Sequence, residues 1–122
     1  MYKFSKIIFA YYLLFLFWGI LFKFDIAHTI NTAHLLPSRS LNVSPFDASG
    51  GRLEILFNIL IFIPFGFFMG RFSERSFLGK LGIIFLISLF VEILQFIFGI
   101  GATDITDVIT NTSGGLMGLL LY

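Results

Sequence analysis

The 122-residue sequence contains no cysteine, and only 12% of its residues are charged. Without cysteine the chain can form no disulfide and no cysteine-ligated metal site. Its formal charge of +1 offers no basic face to neutralise phosphates, so we expect no nucleic-acid partner. What remains is 57% apolar and 19% aromatic, which lies outside the usual range of soluble domains. The sequence therefore predicts an integral protein of the cell membrane, with the lipid bilayer as its solvent.

Histidine is almost as scarce as cysteine. Only His28 and His34 could supply imidazole, and their spacing matches neither one helical face nor a metal-ligand pattern. We expect both to lie in a loop. No cofactor is expected, and the sequence leaves a metal site undetermined.

Four apolar runs divide the chain, and each approaches the ~20 residues that a helix needs to cross a bilayer. The first run is too long for a secretory signal and no small-residue cleavage motif follows it, so we expect it to be retained. The predicted fold class is all-α, a single-domain, multi-pass bundle of four transmembrane helices. The predicted spans are residues 7–23, 53–70, 81–100 and 105–122.

Basic residues predict the orientation of these spans. Lys3 and Lys6 precede the first span, and the short 71–80 connection carries three more of the eight basic residues. The positive-inside rule places these segments, and therefore both termini, in the cytoplasm. The long polar loop 24–52 and the turn at 99–104 then face outward.

Polar residues inside the predicted spans follow helical spacing. A charge near the bilayer centre costs about 2.5–3.5 kcal/mol on insertion scales, so each such residue needs a partner or a purpose. Glu54 and Asn58 are one turn apart in the second span. In the third and fourth spans, residues spaced by three or four form one stripe on each helix. These stripes are Ser88, Glu92, Gln95 and Gly99, and Asp104, Asp107, Asn111, Gly114 or Gly115, and Gly118.

Counting from the outer end of each span brings polar residues of three helices to a common depth, about 5–12 Å below the surface. Two interpretations remain open: a polar pocket that opens outward, and a purely structural hydrogen-bond cluster between helices. Asp104 has a third interpretation as a helix amino-terminal cap. The residues at this depth are Asn58, Glu92, Gln95, Asp107 and Asn111.

Small residues and one proline predict how the helices pack. Gly66 and Gly70, and likewise Gly114 and Gly118, have the four-residue spacing that lets helix backbones approach closely in lipid. Pro64 removes a backbone donor in the middle of the second span, so we expect a kink there.

The sequence resembles the VanZ-like membrane proteins in four ordered blocks between residues 39 and 121. Many members carry an arginine shortly before the last block, where this chain reads GIGAT. The resemblance implies an association with reduced susceptibility to glycopeptide antibiotics in Gram-positive bacteria, especially lipoglycopeptides such as teicoplanin. The blocks are RSLNVSPF at 39–46, NILIFIPFG at 58–66, EILQ at 92–95 and DITDVITNTSGG at 104–115.

Two carboxylates at membrane depth must be protonated, bound to a cation or paired with one. Arg39 and Arg52 are the candidates from the outer loop. Arg39 is favoured because it lies in a block of the resemblance, whereas Arg52 could extend to the membrane surface and need no partner.

Two classes of function remain open. The first is a non-enzymatic factor that binds or excludes an amphiphile at the outer leaflet, such as a lipoglycopeptide or a cell-wall lipid precursor. The second is a membrane-embedded enzyme that uses Glu92 and Asp107 as acid and base or as ligands of a hard cation; a transport or scaffold subunit is a further alternative. No nucleophile–base pair and no phosphate-binding glycine loop is apparent. We therefore favour the first class, with no catalytic residue assigned. The candidate binding residues are Asn58, Glu92, Gln95, Asp104, Asp107, Asn111 and Arg39.

Overall fold

The computed structural model describes residues 2–31, 40–42, 52–98 and 102–122. The fold is all-α in its main elements, as the apolar runs predict, with one short pair of strands in addition. The four helices are α1 (Tyr2–Asn31), α2 (Arg52–Phe72), α3 (Phe77–Phe98) and α4 (Ile105–Leu121), and the strands are β1 (Ser40–Asn42) and β2 (Ala102–Asp104).

Two of the helices contain segments that are long and apolar enough to cross a membrane. These segments are Ile55–Phe72 in α2 and Phe77–Ile97 in α3. Many large apolar side chains on the described helices are exposed, among them Leu60, Leu86 and Leu120. An outer surface of this kind suits contact with lipid.

Helix α1 continues to Asn31, eight residues beyond the end of the predicted first span. His28 therefore lies on a helix and not in a loop, whereas His34 is outside the described residues. Residues 24–31 are more polar than the preceding run but include no glycine or proline, so nothing in their backbone preferences stops the helix. A change in polarity ended the predicted span without ending the helix.

Glycines set the contact between α2 and α4. A Cβ added to Gly114 would lie 2.2 Å from the Ile59 carbonyl oxygen, and one added to Gly118 would lie 2.0 Å from the Ile63 carbonyl oxygen. On the opposite helix, a Cβ added to Gly66 would lie equally close to the Gly115 carbonyl oxygen. The two backbones touch directly at Gly66, Gly114 and Gly118, as the four-residue spacing predicts, whereas Gly70 packs against the Tyr122 side chain.

Aromatic side chains attach α1 to α2. The Phe9 ring centroid lies 5.0 Å from that of Phe68 and 5.7 Å from that of Phe72. One turn further along α1, the Tyr12 hydroxyl donates a hydrogen bond to the Ile61 carbonyl oxygen. These contacts place the start of α1 beside the end of α2.

The connection between α2 and α3 is closed by local hydrogen bonds. Ser76 caps α3, because its hydroxyl oxygen accepts a bond from the Gly79 amide at 3.2 Å. Lys80 reaches back to α2, where its Nζ donates to the Gly70 carbonyl oxygen at 3.2 Å. A cation at a helix carboxyl terminus also interacts favourably with the helix dipole.

The two strands pair in parallel, with Ser40 opposite Ala102 and Asn42 opposite Asp104. This pairing connects the segment between α1 and α2 to the segment that leads into α4. It therefore joins the first and last of the four sequence blocks. This pairing was not predictable from the sequence, because three residues are too few to show an alternating pattern.

Candidate functional site: a buried polar cluster

The beginning of α2, the end of α3 and the beginning of α4 meet at one end of the bundle. Buried polar side chains gather there, and we call them the polar cluster. Each is at most 9% exposed, although three of them, Glu92, Asp104 and Asp107, carry carboxyl groups, which are costly to bury without a partner. The members are Asn58, Ser88, Glu92, Gln95, Asp104, Thr106, Asp107, Thr110 and Asn111.

Asn58 joins α2 to α4. Its side-chain amide donates to Asp107 Oδ1 at 2.6 Å and lies 3.4 Å from the hydroxyl oxygen of Thr110. That hydroxyl donates in turn to the Thr106 carbonyl oxygen, at 2.9 Å. The Asp107 side chain is thus held by a directed hydrogen bond from the neighbouring helix.

Glu92 joins α3 to the entry of α4. Its Oε2 accepts a hydrogen bond from the Asp104 backbone amide at 3.2 Å. The Asp104 side chain accepts from the Thr106 amide at 2.9 Å and caps α4. The capping interpretation of Asp104 is therefore correct, and this residue has a structural duty whatever else it does.

Asn111 and Ser88 join α3 to α4 one turn deeper. The Asn111 side-chain amide donates to the Ser88 hydroxyl oxygen at 3.0 Å. Its Oδ1 is fully buried and accepts no hydrogen bond from the described part of the chain. Gln95 lies on the same face of α3 and is 3% exposed. The cluster therefore spans two turns of α3 and α4.

The structure places six of the seven predicted site residues in this cluster. The seventh, Arg39, lies outside the described residues. Arg52, the other candidate cation, has an exposed side chain at the start of α2. The exposure of Arg52 suits the membrane-surface position that the sequence suggests for it.

Thr106 and Thr110 are buried within the cluster but were not among the predicted site residues. Thr110 follows Asp107 by three residues, so it shares that face of α4 and could have been included by the same spacing rule. Threonine hydroxyls commonly bond to the backbone of their own helix, and Thr110 does so as well.

No group of three or more His, Asp or Glu residues that could hold a metal ion occurs within residues 2–31, 40–42, 52–98 and 102–122. The carboxylates of the cluster instead accept hydrogen bonds from amides. The arrangement is suited to binding donor groups and to fixing three helices against one another.

The fold and the cluster together define a helical protein with membrane-length apolar helices around a buried polar site. The VanZ/LLP1 family model matches residues 9–122, and the chain belongs to that family. It is 49% identical over 119 residues to Protein VanZ of Enterococcus faecium, an alignment that covers 97% of this chain and 73% of that protein. No solved structure matches.

Proposed function

We propose that this VanZ-family chain spans the membrane four times, with both termini in the cytoplasm, and that its polar cluster binds or excludes an amphiphile at the outer leaflet. Helix α1 has ample length to span. Helix α4 has 17 residues and is about 26 Å long, slightly short of a ~30 Å hydrocarbon core. Local thinning of the bilayer would accommodate it.

One observation carries the proposal: α3 and α4 each place a buried carboxyl group where a neutral amide could accept the hydrogen bond described above. Glu92 accepts from the Asp104 amide and Asp107 accepts from Asn58. A glutamine and an asparagine could accept both bonds without the cost of burying charge. Retaining carboxylates at this cost favours a role in recognition over a role in packing alone.

The surroundings of the cluster suit a ligand with a polar head and an acyl chain. Phe57 adjoins Asn58 in the first turns of α2, and Ile93 and Ile97 lie on the exposed side of α3, facing away from Gln95; all three side chains are about half exposed. They offer apolar surface to an acyl chain, while the cluster offers hydrogen-bond acceptors to a head group. Lipoglycopeptides and cell-wall lipid precursors both consist of a polar head group and an acyl chain.

The family relationship and the proposed binding of an acyl chain predict that the protein acts more strongly against a drug that carries an acyl chain than against one that lacks it. Expression in a susceptible Gram-positive host is expected to reduce susceptibility to teicoplanin more than susceptibility to vancomycin, which lacks the acyl tail. Each buried methylene contributes about 0.8 kcal/mol, so even partial burial of an acyl chain gives a measurable difference. The measurement is the minimal inhibitory concentration of each drug, compared with an empty vector. Equal shifts would contradict recognition of the acyl chain, and no shift would contradict the resistance role.

The proposed orientation predicts which loops can be labelled from outside. A cysteine placed at Ser44 should react with an impermeant thiol reagent in intact cells, whereas one at the exposed Ser73–Arg75 turn, introduced as Ser73→Cys, should react only after lysis. The chain has no native cysteine, so no background label is expected. The reverse pattern would move the polar cluster to the cytoplasmic leaflet.

A further inference from the structure

Five basic residues gather at the end of the bundle opposite the polar cluster, and we call them the basic end. The Phe9 ring contacts that of Phe72, at 5.7 Å between centroids. Lys6 lies three residues before Phe9, and Arg71 adjoins Phe72. The contact between the two rings therefore brings the basic residues at the start of α1 and at the end of α2 to the same end of the bundle. The members are Lys3, Lys6, Arg71, Arg75 and Lys80.

The α2–α3 connection keeps the remaining cations at this end. The bond from Lys80 Nζ to the Gly70 carbonyl oxygen holds this side chain over the end of α2. Arg75 lies in the connection, with its amide bonded to the Ser73 hydroxyl, and its side chain is exposed. Glu74 is the one acidic residue in this connection. The basic end therefore presents a strong excess of positive charge.

Apolar side chains lie among these cations. Phe4 is 67% exposed between Lys3 and Lys6, and Leu78 is 77% exposed two residues before Lys80. Cations beside exposed apolar groups match the boundary between head groups and acyl chains. A soluble anion would use only the cations, whereas a phospholipid would use both kinds of side chain.

We infer that the basic end binds the phosphate of an anionic phospholipid, and that the bound lipid links the start of α1 to the α2–α3 connection. The positive charges favour a ligand that carries a phosphate group. The exposed apolar side chains favour a phospholipid over a free phosphate ion. The described contacts of α1 with the rest of the bundle are mainly apolar, through the Phe9 ring and the buried Leu16. A charged ligand that bridges the two parts adds an electrostatic contact and should therefore stabilise the fold. This inference does not depend on the function of the polar cluster.

The test uses the purified full-length chain in neutral detergent micelles, where membrane orientation has no influence. Addition of phosphatidylglycerol is expected to raise the thermal unfolding midpoint, and phosphatidylcholine is expected to have little effect. Arg71→Gln combined with Arg75→Gln should raise the phosphatidylglycerol fraction needed for half of this shift by about 25-fold, because each basic residue near an anionic surface contributes about a factor of five. Added salt should weaken the wild-type response.

Two matched variants separate charge from folding. Arg52→Gln removes an exposed arginine at the opposite end and should respond like the wild type. Arg71→Lys combined with Arg75→Lys keeps the charge and should retain the response. An equal shift with phosphatidylcholine, an equal loss in Arg52→Gln, or the full shift with inorganic phosphate alone would each overturn the inference.

Discussion

Replacing Glu92 by Gln and Asp107 by Asn is expected to abolish the effect on teicoplanin susceptibility without lowering the amount of protein in the membrane. Both isosteres keep an oxygen that can accept the described bonds from the Asp104 amide and from Asn58. They also lower the cost of placing the side chains at membrane depth. The loss should be about 30-fold or more if each carboxylate pairs with a ligand group, since breaking a buried charged hydrogen bond costs about 2–5 kcal/mol.

Glu74→Gln is the matched control, because it removes an exposed carboxylate from the α2–α3 connection. It should preserve both abundance and activity. A purely structural cluster would give the opposite result for the double variant: unchanged activity with equal or greater stability. In that case Asn58→Leu, which removes the donor to Asp107, should lower abundance.

Arg39 is the residue proposed to neutralise Glu92 and Asp107, and the same double variant can be used to test this role. It immediately precedes β1 in the sequence. Strand β1 pairs with β2, where Asn42 lies opposite Asp104. The Asp104 amide in turn donates a hydrogen bond to Glu92. If Arg39 neutralises the carboxylates, Arg39→Gln should lower abundance in the wild type but not in the Glu92→Gln, Asp107→Asn background. Equal losses in the two backgrounds would show that Arg39 does not interact with them.

Gly118→Ala is expected to destabilise the protein by about 1–3 kcal/mol or more. The added Cβ would lie 2.0 Å from the Ile63 carbonyl oxygen and 2.7 Å from the Phe67 amide nitrogen. Both atoms belong to the α2 backbone, which cannot rotate away like a side chain, so the two helices must separate. Total stabilities are typically about 5–15 kcal/mol, so the thermal unfolding midpoint in detergent should fall clearly.

Gly82→Ala provides the control for helix propensity. A Cβ at Gly82 would have no neighbouring atom within 4 Å, and the position lies within α3. Alanine is favoured over glycine inside a helix by about 1 kcal/mol, so this variant should be neutral or slightly stabilised. Similar midpoints for Gly82→Ala and Gly118→Ala would contradict the direct backbone contact between α2 and α4.

Helices and polar stripes could be predicted from the sequence because both depend on local spacing. Glu92 and Gln95 share one face of α3 for any helix that contains them, and so do Asp107 and Asn111 on α4. The glycine pairs were predictable for the same reason. These features fix which residues can face a neighbouring helix.

Hydrogen-bond partners could not be predicted, because they depend on how far each helix is rotated and shifted against the next. Nothing in the spacing indicates that Asn58 bonds to Asp107 while Asn111 bonds to Ser88. The helical extension of α1 to Asn31 was missed because hydropathy marks the limits of a span and not of a helix. The β1–β2 pairing was missed because it connects two short segments that are far apart in the sequence.

The β1–β2 pairing also determines how late in synthesis the fold can be completed, because β1 can pair only after β2 has been made. Strand β1 leaves the ribosome long before β2, which follows α3 and precedes only the final helix. The segment between α1 and α2 must therefore wait for the last part of the chain before it acquires its parallel partner. Glu92 and Asn58 likewise meet the Asp104 amide and Asp107 only at that stage. A nascent chain stopped after α3 would have its first three helices but no complete polar cluster. The site can therefore assemble only after α4 has been synthesised.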